Sequence, residues 1–507
     1  MADKSKDLKS DMLANINLLT VTSAELQKLL TDGQVRSTEL VELYLNHIEK
    51  HNHNGWKLNA MISTTPREII LRIAQVLDEE RANGTVRSKL HGIPITVKDN
   101  IMTGPELGMP TTVGTYALEK AMARKNAPIV ERLTRAGAII IGKANLPYIV
   151  GGFNDGDKLL GHSAPGGSSS GSAAGVAAGF APLALATETD GSIVQPANRA
   201  ALYGLKTTVG LFPTEGTAPW SSLTDSLGGM AKSSDDPIIL IQTLSNTDYD
   251  ESLTNSWAGL RVGFIDPTLW SFSPIICDPD EDLIQQQRQE MATTMTKITE
   301  MGGTVKQPVP LTSTDELMLD GDDALEQLWN HNFEREWNQF LLGYESKDVE
   351  TLKDVVLFNS KHSEKALPPR YPGQQLLEAA VDEKQKISHE KYSEGVDLIR
   401  KVARINGFDK TLIEYDLDVI VGPMDGRIPT IAAAAGYPVG TMPLGYSVSN
   451  GRPFGMCIVA RAGQEGKILR AMSAWDATIV KRKPPAQMLT STAKTNGKMD
   501  LWQVPAL

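Results

Sequence analysis

A stretch dominated by glycine, serine and alanine runs from residue 163 to residue 192 and reads SAPGGSSSGSAAGVAAGFAPLALATETDGS. Side chains this small allow the backbone to approach another backbone or a ligand closely. A flexible linker has a similar composition. However, residues 172–178 have the pattern of a small-residue helix, and residues 184–186 have that of a strand. We therefore predict that the stretch is folded, and that its turns lie close to other parts of the chain.

Short β-branched runs alternate with helical patterns from about residue 90 onward. Ile93–Val97 is the first such run, Ala138–Ile141 is a compact buried strand, and the pattern returns at Leu417–Val421 and around Cys457–Ala460. This alternation predicts a parallel or mixed sheet in an α/β architecture. We expect one large α/β/α domain whose central mixed sheet is covered by helices.

Two helical regions accompany this α/β pattern. Residues 1–65 are predicted to form an N-terminal helical layer packed on the main domain, because apolar residues recur there at helical spacing. The main domain is expected over residues 66–490, with a more charged helical insert at about 312–405 and a C-terminal tail at 491–507. No internal repeat and no long Pro/Ser-rich linker divides the sequence.

Charge and cysteine content narrow the class of protein. The 507 residues include 61 acidic and 50 basic side chains, which give a net charge of −11 and disfavour a nucleic-acid partner. Cys277 and Cys457 lie far apart, so neither a disulfide framework nor a thiolate metal site is indicated. Neither a signal peptide nor an apolar run of about 18 residues is evident. We expect a cytoplasmic protein without a membrane span.

Lys98 and the TETDGS segment suit two functions that acyl transfer requires, a base and an oxyanion-binding site. Lys98 follows the apolar run IPITV, and burial there lowers the pKa of a lysine from about 10.4 and gives a neutral base. A lone lysine after a strand is more often solvated. In TETDGS, successive N–H groups can point into one concavity and stabilise an oxyanion, although an ordinary turn has the same pattern. The groups expected to do so belong to Thr189, Asp190, Gly191 and Ser192.

Three motifs taken together resemble the amidase signature family of serine hydrolases. They are HGIPITVKDN with Lys98, the GGSSSGS run with Ser168, and TETDGSIVQPA with Ser192. The two serines are 24 residues apart, the interval that the family leads us to expect. The resemblance extends through LDVIVGP and AAAAGYPVGTMPLG to PFGMCIVARAGQEGKILRA, and the helical insert is the least family-like part. Peptide-amidase-like or fatty-acid-amide-hydrolase-like members are the most similar.

The resemblance implies an amidase that hydrolyses a carbon–nitrogen bond. Carried over by motif, Ser192 is the nucleophile, Ser168 follows a cis peptide and relays a proton, and Lys98 is the base. An acyl-enzyme forms on the nucleophile, and water then releases it. Ser169 is expected to be a supporting hydrogen-bond partner rather than a nucleophile, and Ser169 and Val150 are expected to contact the substrate.

A nucleophile elbow is an alternative interpretation of the serine-rich run. Residues 167–171 also fit that pattern, which would make Ser169 the attacking group of an α/β-hydrolase. The elbow needs a strand directly before it, whereas residues 161–165 have the sequence of a loop. A phosphate-binding loop is poorly supported, because no lysine followed by serine or threonine closes the run.

No cofactor and no metal are expected. Three histidines hint at a metal site, but no cysteine or acidic ligand completes the set, and a polar helix end is the favoured interpretation. These histidines are His47, His51 and His53.

Two further features have a structural and a functional interpretation. Lys143 is an alternative base, but its surroundings resemble no part of the proton relay. Three aromatic residues at helical spacing in the insert either pack in the core, which we favour, or line an apolar acyl pocket. They are Trp329, Phe333 and Trp337.

The substrate and the partners remain open. Small-molecule amides, carbamates and esters all suit an acyl-enzyme mechanism with water as co-substrate. Asp190 and Glu188 stand where glycine and aspartate are common in the family, which leaves the substrate class undecided. The alternative function is that of the glutamine-hydrolysing component of a tRNA-dependent amidotransferase complex, and a non-catalytic binding relative is a third. Apolar helix faces near the amino end could serve a homodimer.

Overall fold

A computed structural model describes residues 13, 15–147, 163–270, 272, 276–369 and 371–490. Its strands in chain order are β1 (Met61–Thr64), β2 (Pro94–Lys98), β3 (Met122–Ala123), β4 (Ile139–Ala144), β5 (Leu183–Glu188), β6 (Tyr203–Lys206), β7 (Ser226–Ala231), β8 (Arg261–Ile265), β9 (Thr304–Val309), β10 (Met318–Leu319), β11 (Asp322–Asp323), β12 (Tyr344–Ser346), β13 (Val419–Pro423), β14 (Val439–Tyr446) and β15 (Pro453–Val459).

The α-helices alternate with these strands over most of the described chain. In order they are α1 (Ser23–Thr31), α2 (Ser37–His51), α3 (Arg67–Ala82), α4 (Pro128–Arg135), α5 (Ser170–Ala177), α6 (Val194–Arg199), α7 (Asp235–Ser245), α8 (Glu281–Glu300), α9 (Ala324–Leu341), α10 (Leu352–Lys361), α11 (Ser363–Ala366), α12 (Gln375–Val381), α13 (His389–Arg400), α14 (Lys410–Glu414), α15 (Ile428–Ala435), α16 (Glu465–Thr478) and α17 (Ala486–Thr490). In the described ranges, none of the helices combines the length and apolar character needed to cross a membrane.

The main sheet has eleven strands in the order β1-β4-β2-β5-β7-β6-β14-β15-β13-β8-β9. Strand β2 runs parallel to β4 and β5, and β8 runs parallel to β9 and β13, while the other neighbours are antiparallel. The sheet is therefore mixed, as the sequence predicts. Strands β2 and β5 are buried along their whole length, which explains why their sequences lack an apolar/polar alternation.

The N-terminal helices pack onto the main body and lead into its sheet. Helix α2 buries Leu40, Val41 and Tyr44, the stripe expected from their helical spacing. Strand β1 then pairs with β4 at the edge of the main sheet. The last residues of the predicted helical layer thus belong to the sheet itself.

The small-residue stretch is folded, as predicted. It contains helix α5 and strand β5, whose bounds differ by one or two residues from the predicted ones. Gly171 shows why small side chains are needed: a Cβ there would lie 2.5 Å from the Ala60 carbonyl oxygen and 2.5 Å from the Asn145 nitrogen. A larger residue would push the first turn of α5 away from the residues that directly precede β1 and follow β4.

The helical insert comprises α9 to α13, together with the short β10–β11 hairpin and strand β12, which pairs with β3. It continues past the predicted end, because a π-helix at Lys401–Asp409 joins α13 to α14. Gly407 leaves helical geometry inside this segment. The connection between the insert and the main body before β13 is therefore helical but kinked at Gly407.

Candidate active site

A cavity of about 1000 Å³ lies where β2 and β5 end. Lys98, Ser168 and Ser192 all line it, so the structure brings the three predicted catalytic residues together. The insert supplies part of the wall through Trp329, Trp337, Lys365, Ala366, Pro368, Tyr371 and Leu376. Most of the exposed surface of the cavity wall as a whole is apolar, and ligand sites commonly combine such surface with a few polar groups.

Lys98 is the last residue of β2 and only 1% exposed. Its Nζ is 2.6 Å from the Ser168 Oγ and donates to the Thr187 Oγ1 at 3.1 Å. Burial lowers the pKa of Lys98 to about 7, against the opposing effect of the Asp225 and Glu188 carboxylates. Because of this lowered pKa, a large share of the molecules carries a neutral amine near neutral pH, and such an amine can accept the proton of a neighbouring hydroxyl.

The Gly167–Ser168 peptide is cis, as the family resemblance implies. The next residue joins this segment to the nucleophile segment, because the Ser169 N–H donates to the Ser192 carbonyl at 3.1 Å. The Ser169 hydroxyl donates to the Thr187 carbonyl at 3.2 Å, and the side chain is fully buried. The expected contact of Ser169 with substrate is therefore corrected: its hydroxyl faces the protein and is absent from the cavity wall.

Residues 189–192, here called the anion loop, form a tight turn after β5. Gly191 has φ of +77°, a left-handed conformation that glycine adopts without strain. The Glu188 carboxylate accepts from the N–H groups of Ile193 at 2.7 Å and Val194 at 3.0 Å, which fixes the end of the turn. Within the described ranges, the protein gives the four N–H groups of the anion loop no acceptor. Thr189, Asp190 and Ser192 line the cavity, whereas Gly191 is not among its lining residues.

Side chains of the anion loop are also tied to the surrounding wall. The Thr189 hydroxyl donates to the Asp225 Oδ1 at 2.6 Å. Asp190 accepts from the Thr430 hydroxyl at 2.9 Å, and burial raises the pKa of this carboxyl. Both Asp225 and Thr430 line the cavity.

Sequence reasoning missed three polar residues of the site. Thr187 receives hydrogen bonds from Lys98 and, at 2.9 Å, from the Asn100 amide. Asp225 holds the anion loop through Thr189. Thr187 and Asn100 lie within or next to the quoted motifs and could have been found there, whereas no local signal marks Asp225.

The alternative base, Lys143, belongs to a separate buried cluster. Its Nζ is buried, donates to the Thr111 hydroxyl at 2.8 Å and to the Ile101 carbonyl, and lies 3.7 Å from an Asp99 oxygen. It is not among the residues that line the cavity. The other predicted substrate contact, Val150, lies outside the described residues.

The nucleophile-elbow interpretation is also wrong. Residues 164–169 form a loop, so no strand leads directly into Ser169, and its hydroxyl is buried against β5. The elbow requires a strand before the serine and an exposed hydroxyl.

The histidines near the end of α2 make local contacts. The His47 ring binds the Ala178 carbonyl at 2.8 Å and the His53 ring binds the Asn59 amide oxygen at 3.1 Å. In the part of the chain that is described, no group of three or more His, Cys, Asp and Glu side chains is arranged to hold a metal ion. His47 thus joins α2 to the small-residue stretch, whereas the contact of His53 is local.

The aromatic stripe of α9 serves both of its predicted roles. Trp329 and Trp337 line the cavity. Phe333 packs between Trp337 and Trp220, with ring centroids 6.0 and 5.2 Å away. The insert therefore contributes to the core and to the pocket through the same helix face.

Comparison with known proteins gives consistent results. The family model described as Amidase matches residues 39–469. A protein of Schizosaccharomyces pombe whose name assigns it to the amidases is 32% identical over 517 aligned residues, which cover 91% of this chain and 85% of the relative. The crystal structure of native peptide amidase from Stenotrophomonas maltophilia superposes with a TM-score of 0.80 at 30% identity, covering 92% of this chain and 98% of that one. A glutamyl-tRNA(Gln) amidotransferase component of Chloroflexus aurantiacus is 35% identical, over 50% of this chain and 54% of that protein.

Proposed function

This chain belongs to the amidase family of amide-hydrolysing enzymes, and we propose that it works through a Ser192 acyl-enzyme with Ser168 and Lys98 as the proton relay. One observation carries the proposal. The buried Lys98 amine lies 2.6 Å from the Ser168 hydroxyl, on the wall of the cavity that also holds Ser192 and the anion loop.

In each half-reaction the relay carries one proton from the attacking group to Lys98 and then returns one proton to the leaving group. Neutral Lys98 accepts the Ser168 proton, Ser168 accepts the Ser192 proton, and the Ser192 Oγ attacks the amide carbonyl. The proton returns by the same path to the leaving nitrogen, and the carbon–nitrogen bond breaks to leave an ester on Ser192. Water then attacks this ester with the same relay and releases the acid.

The anion loop stabilises both tetrahedral intermediates. Its N–H groups are held in place before substrate arrives, so little reorganisation is needed when negative charge develops. Loss of a single donor of this kind costs about 2.7–4 kcal/mol of barrier. Asp225 holds the first residue of the loop through the Thr189 hydroxyl, and Glu188 holds the two residues that follow the loop.

The cavity favours a bulky amide with apolar or aromatic groups. Its volume of about 1000 Å³ is at the upper end of the range for sites that enclose drug-sized ligands. Three tryptophans lie along it, at positions 220, 329 and 337. Peptide amides and aryl amides therefore fit better than small aliphatic amides, and carbamates or esters with similar groups are further substrates.

The amidotransferase alternative is less well supported. Alignment with the amidotransferase component covers about half of each chain, whereas alignment with the peptide amidase covers more than nine-tenths of both. The cavity is also much larger than glutamine requires. A stable partner protein that copurifies with this chain, together with glutamine hydrolysis that depends on it, would favour the alternative.

The test is to label the protein with a fluorophosphonate and to map the modified residue. In this reaction the Ser192 Oγ–phosphorus bond forms and fluoride leaves. We expect labelling at Ser192 in the wild type and none in Ser192→Ala. Ser169→Ala is the matched control, since it removes a neighbouring serine hydroxyl that faces away from the cavity. Labelling lost in Ser169→Ala and retained in Ser192→Ala would contradict the proposal.

A panel of amides then tests the substrate class. Matched pairs of C-terminal peptide amides and their free acids, aryl amides, carbamates and short aliphatic amides are compared by kcat/KM. Bulky apolar amides are expected to turn over fastest. Equal or higher kcat/KM for short aliphatic amides would contradict the inference from the cavity walls.

A further inference from the structure

The loop of residues 220–225 lies between the helical insert and the anion loop, and is here called the bridging loop. Strand β5 pairs antiparallel with β7 in a register that places Glu188 opposite Ser226. The residue after β5, Thr189, therefore meets the residue before β7, Asp225. This pairing brings the end of the bridging loop to the anion loop.

Asp225 closes the bridging loop and binds the anion loop with the same carboxylate. Its Oδ2 accepts from the N–H groups of Trp220 at 2.8 Å and Ser221 at 2.9 Å. Its Oδ1 accepts from the Thr189 hydroxyl at 2.6 Å. One side chain thus fixes both the tryptophan wall of the cavity and the start of the anion loop.

The insert holds the opposite side of the bridging loop. Glu336 on α9 accepts from the Ser222 N–H at 2.9 Å and from the Ser222 hydroxyl at 2.6 Å. Trp329, also on α9, donates from its indole nitrogen to the Thr224 hydroxyl at 3.0 Å. Arg400 on α13 donates to the Leu223 carbonyl at 2.8 Å. Each residue from 220 to 224 therefore forms a hydrogen bond either to Asp225 or to the insert.

We propose that Asp225 and Glu336 are positioning residues for the reaction at Ser192, which act by coupling the helical insert to the anion loop through residues 220–225. This inference rests on the proposed function. Neither carboxylate transfers a proton in the reaction. Each acts by fixing where the N–H groups of the anion loop point, and an error of about 1 Å in such groups can cost about 100-fold in rate.

Asp225 has a second, electrostatic effect that separates its role from a purely structural one. Its carboxylate opposes the lowering of the Lys98 pKa, together with Glu188. The other charged groups that act on Asp225 or respond to it are Glu336 on α9 and Lys206 on β6. Burial raises the pKa of Asp225 to about 7, so its negative charge is partial near neutral pH and full above it. Replacing Asp225 by asparagine removes this charge near Lys98, so the pKa of Lys98 falls further below its ordinary value. The neutral amine then forms at lower pH.

The experiment measures the rate of Ser192 labelling by a fluorophosphonate as a function of pH in the full-length protein. Asp225→Asn is expected to slow labelling by about 10- to 100-fold. It is also expected to lower the pH at which the labelling rate reaches half of its high-pH plateau. Glu336→Gln is expected to slow labelling less than Asp225→Asn does and to leave the pH of the half-maximal labelling rate unchanged. Since both act through one loop, the double variant should be slower by clearly less than the product of the two single effects.

Matched controls separate positioning from general destabilisation. Asp236→Asn removes another buried carboxylate, one that accepts from the Ser23 N–H at 3.0 Å away from the cavity. Glu334→Gln changes the same helix as Glu336 at a residue that binds Lys386 instead. Both controls should label at the wild-type rate. Thr189→Val cuts the same link as Asp225→Asn from its other end, and it serves as the second variant if Asp225→Asn does not fold.

The outcomes are distinguishable from failure of the proposed function. Absence of labelling at Ser192 in the wild type would overturn the proposed function. Normal labelling of the wild type, with unchanged rates in folded Thr189→Val and Glu336→Gln, would overturn the coupling proposal alone. Fully multiplicative effects of Asp225→Asn and Glu336→Gln would also overturn it, because residues that act through one loop cannot be independent.

Discussion

Replacement of Lys98 by methionine tests the proton relay most directly. At pH 7 an ordinary lysine with a pKa of about 10.4 is neutral in roughly one molecule in 2,500. Burial lowers the pKa of Lys98 to about 7, which makes the amine neutral in about half of the molecules at that pH. The environment therefore increases the amount of usable base by about a thousandfold.

The sign of the pH dependence follows from which form reacts. The neutral amine accepts the Ser168 proton, so the labelling rate of Ser192 should rise with pH and reach half of its plateau near pH 7. Lys98→Met keeps an unbranched chain of similar length but removes the base. We expect the labelling rate to fall by about 100- to 10,000-fold and no longer to rise with pH around pH 7.

Methionine should be tolerated at this position. The side chain is 1% exposed, and the Thr187 hydroxyl keeps its hydrogen bond from Asn100 after Lys98 is lost. The assay is intact-mass measurement of fluorophosphonate labelling from about pH 5 to about pH 9.5, which spans the lowered and the ordinary range of a lysine. Two results would refute the assignment of Lys98 as the base: a wild-type labelling rate that reaches half of its plateau only above about pH 9, or a Lys98→Met variant whose labelling rate still rises with pH near pH 7.

Two further predictions separate structural from catalytic residues. Lys143→Met breaks the buried pair with Asp99 and should lower the free energy of unfolding, measured by urea denaturation, by about 3–5 kcal/mol. The folded variant should still be labelled with the wild-type pH profile. A shifted pH profile in a variant that urea denaturation shows to be folded would contradict this prediction. Gly191→Ala places a Cβ 2.7 Å from the Gln195 Nε2 at φ of +77° and should slow labelling by about 100-fold. Gly210→Ala is its control, since Gly210 has φ of +86° with nothing within 4 Å, and equal loss in both variants would mean that backbone strain rather than the anion loop is responsible.

The sequence predicted the parts of the site that are encoded locally. Lys98 ends a strand that is buried throughout, and the anion loop follows another strand with a glycine at the turn. Both features follow from short-range physical chemistry: strands buried on both faces are continuously apolar, and a left-handed turn favours glycine. Because β2 and β5 are parallel neighbours, their carboxyl ends bring Lys98 and the nucleophile segment to the same edge of the sheet.

Contacts that depend on strand order could not be predicted in this way. Strand β7 lies next to β5 in the sheet although β6 comes between them in the chain. Only this order places Asp225 beside Thr189, 36 residues away. Ser169 shows the reverse error: it lies in the motif next to Ser168, yet its hydroxyl turns into the protein and binds the Thr187 carbonyl. Proximity in sequence therefore identified the right segment but not which side chains face the cavity.

The helical insert illustrates a further limit that is physical in origin. Trp329, Phe333 and Trp337 follow one another at i, i+4 and i+8 on a single face of α9. An apolar stripe of this kind is stabilised equally by burial in a core and by burial against an apolar cavity wall, since both remove it from water. The choice between the two depends on what packs opposite. Trp220 of the bridging loop packs against Phe333, while the flanking tryptophans face the cavity. The shape of this cavity wall therefore depends on a contact between the insert and the bridging loop that neither segment encodes alone.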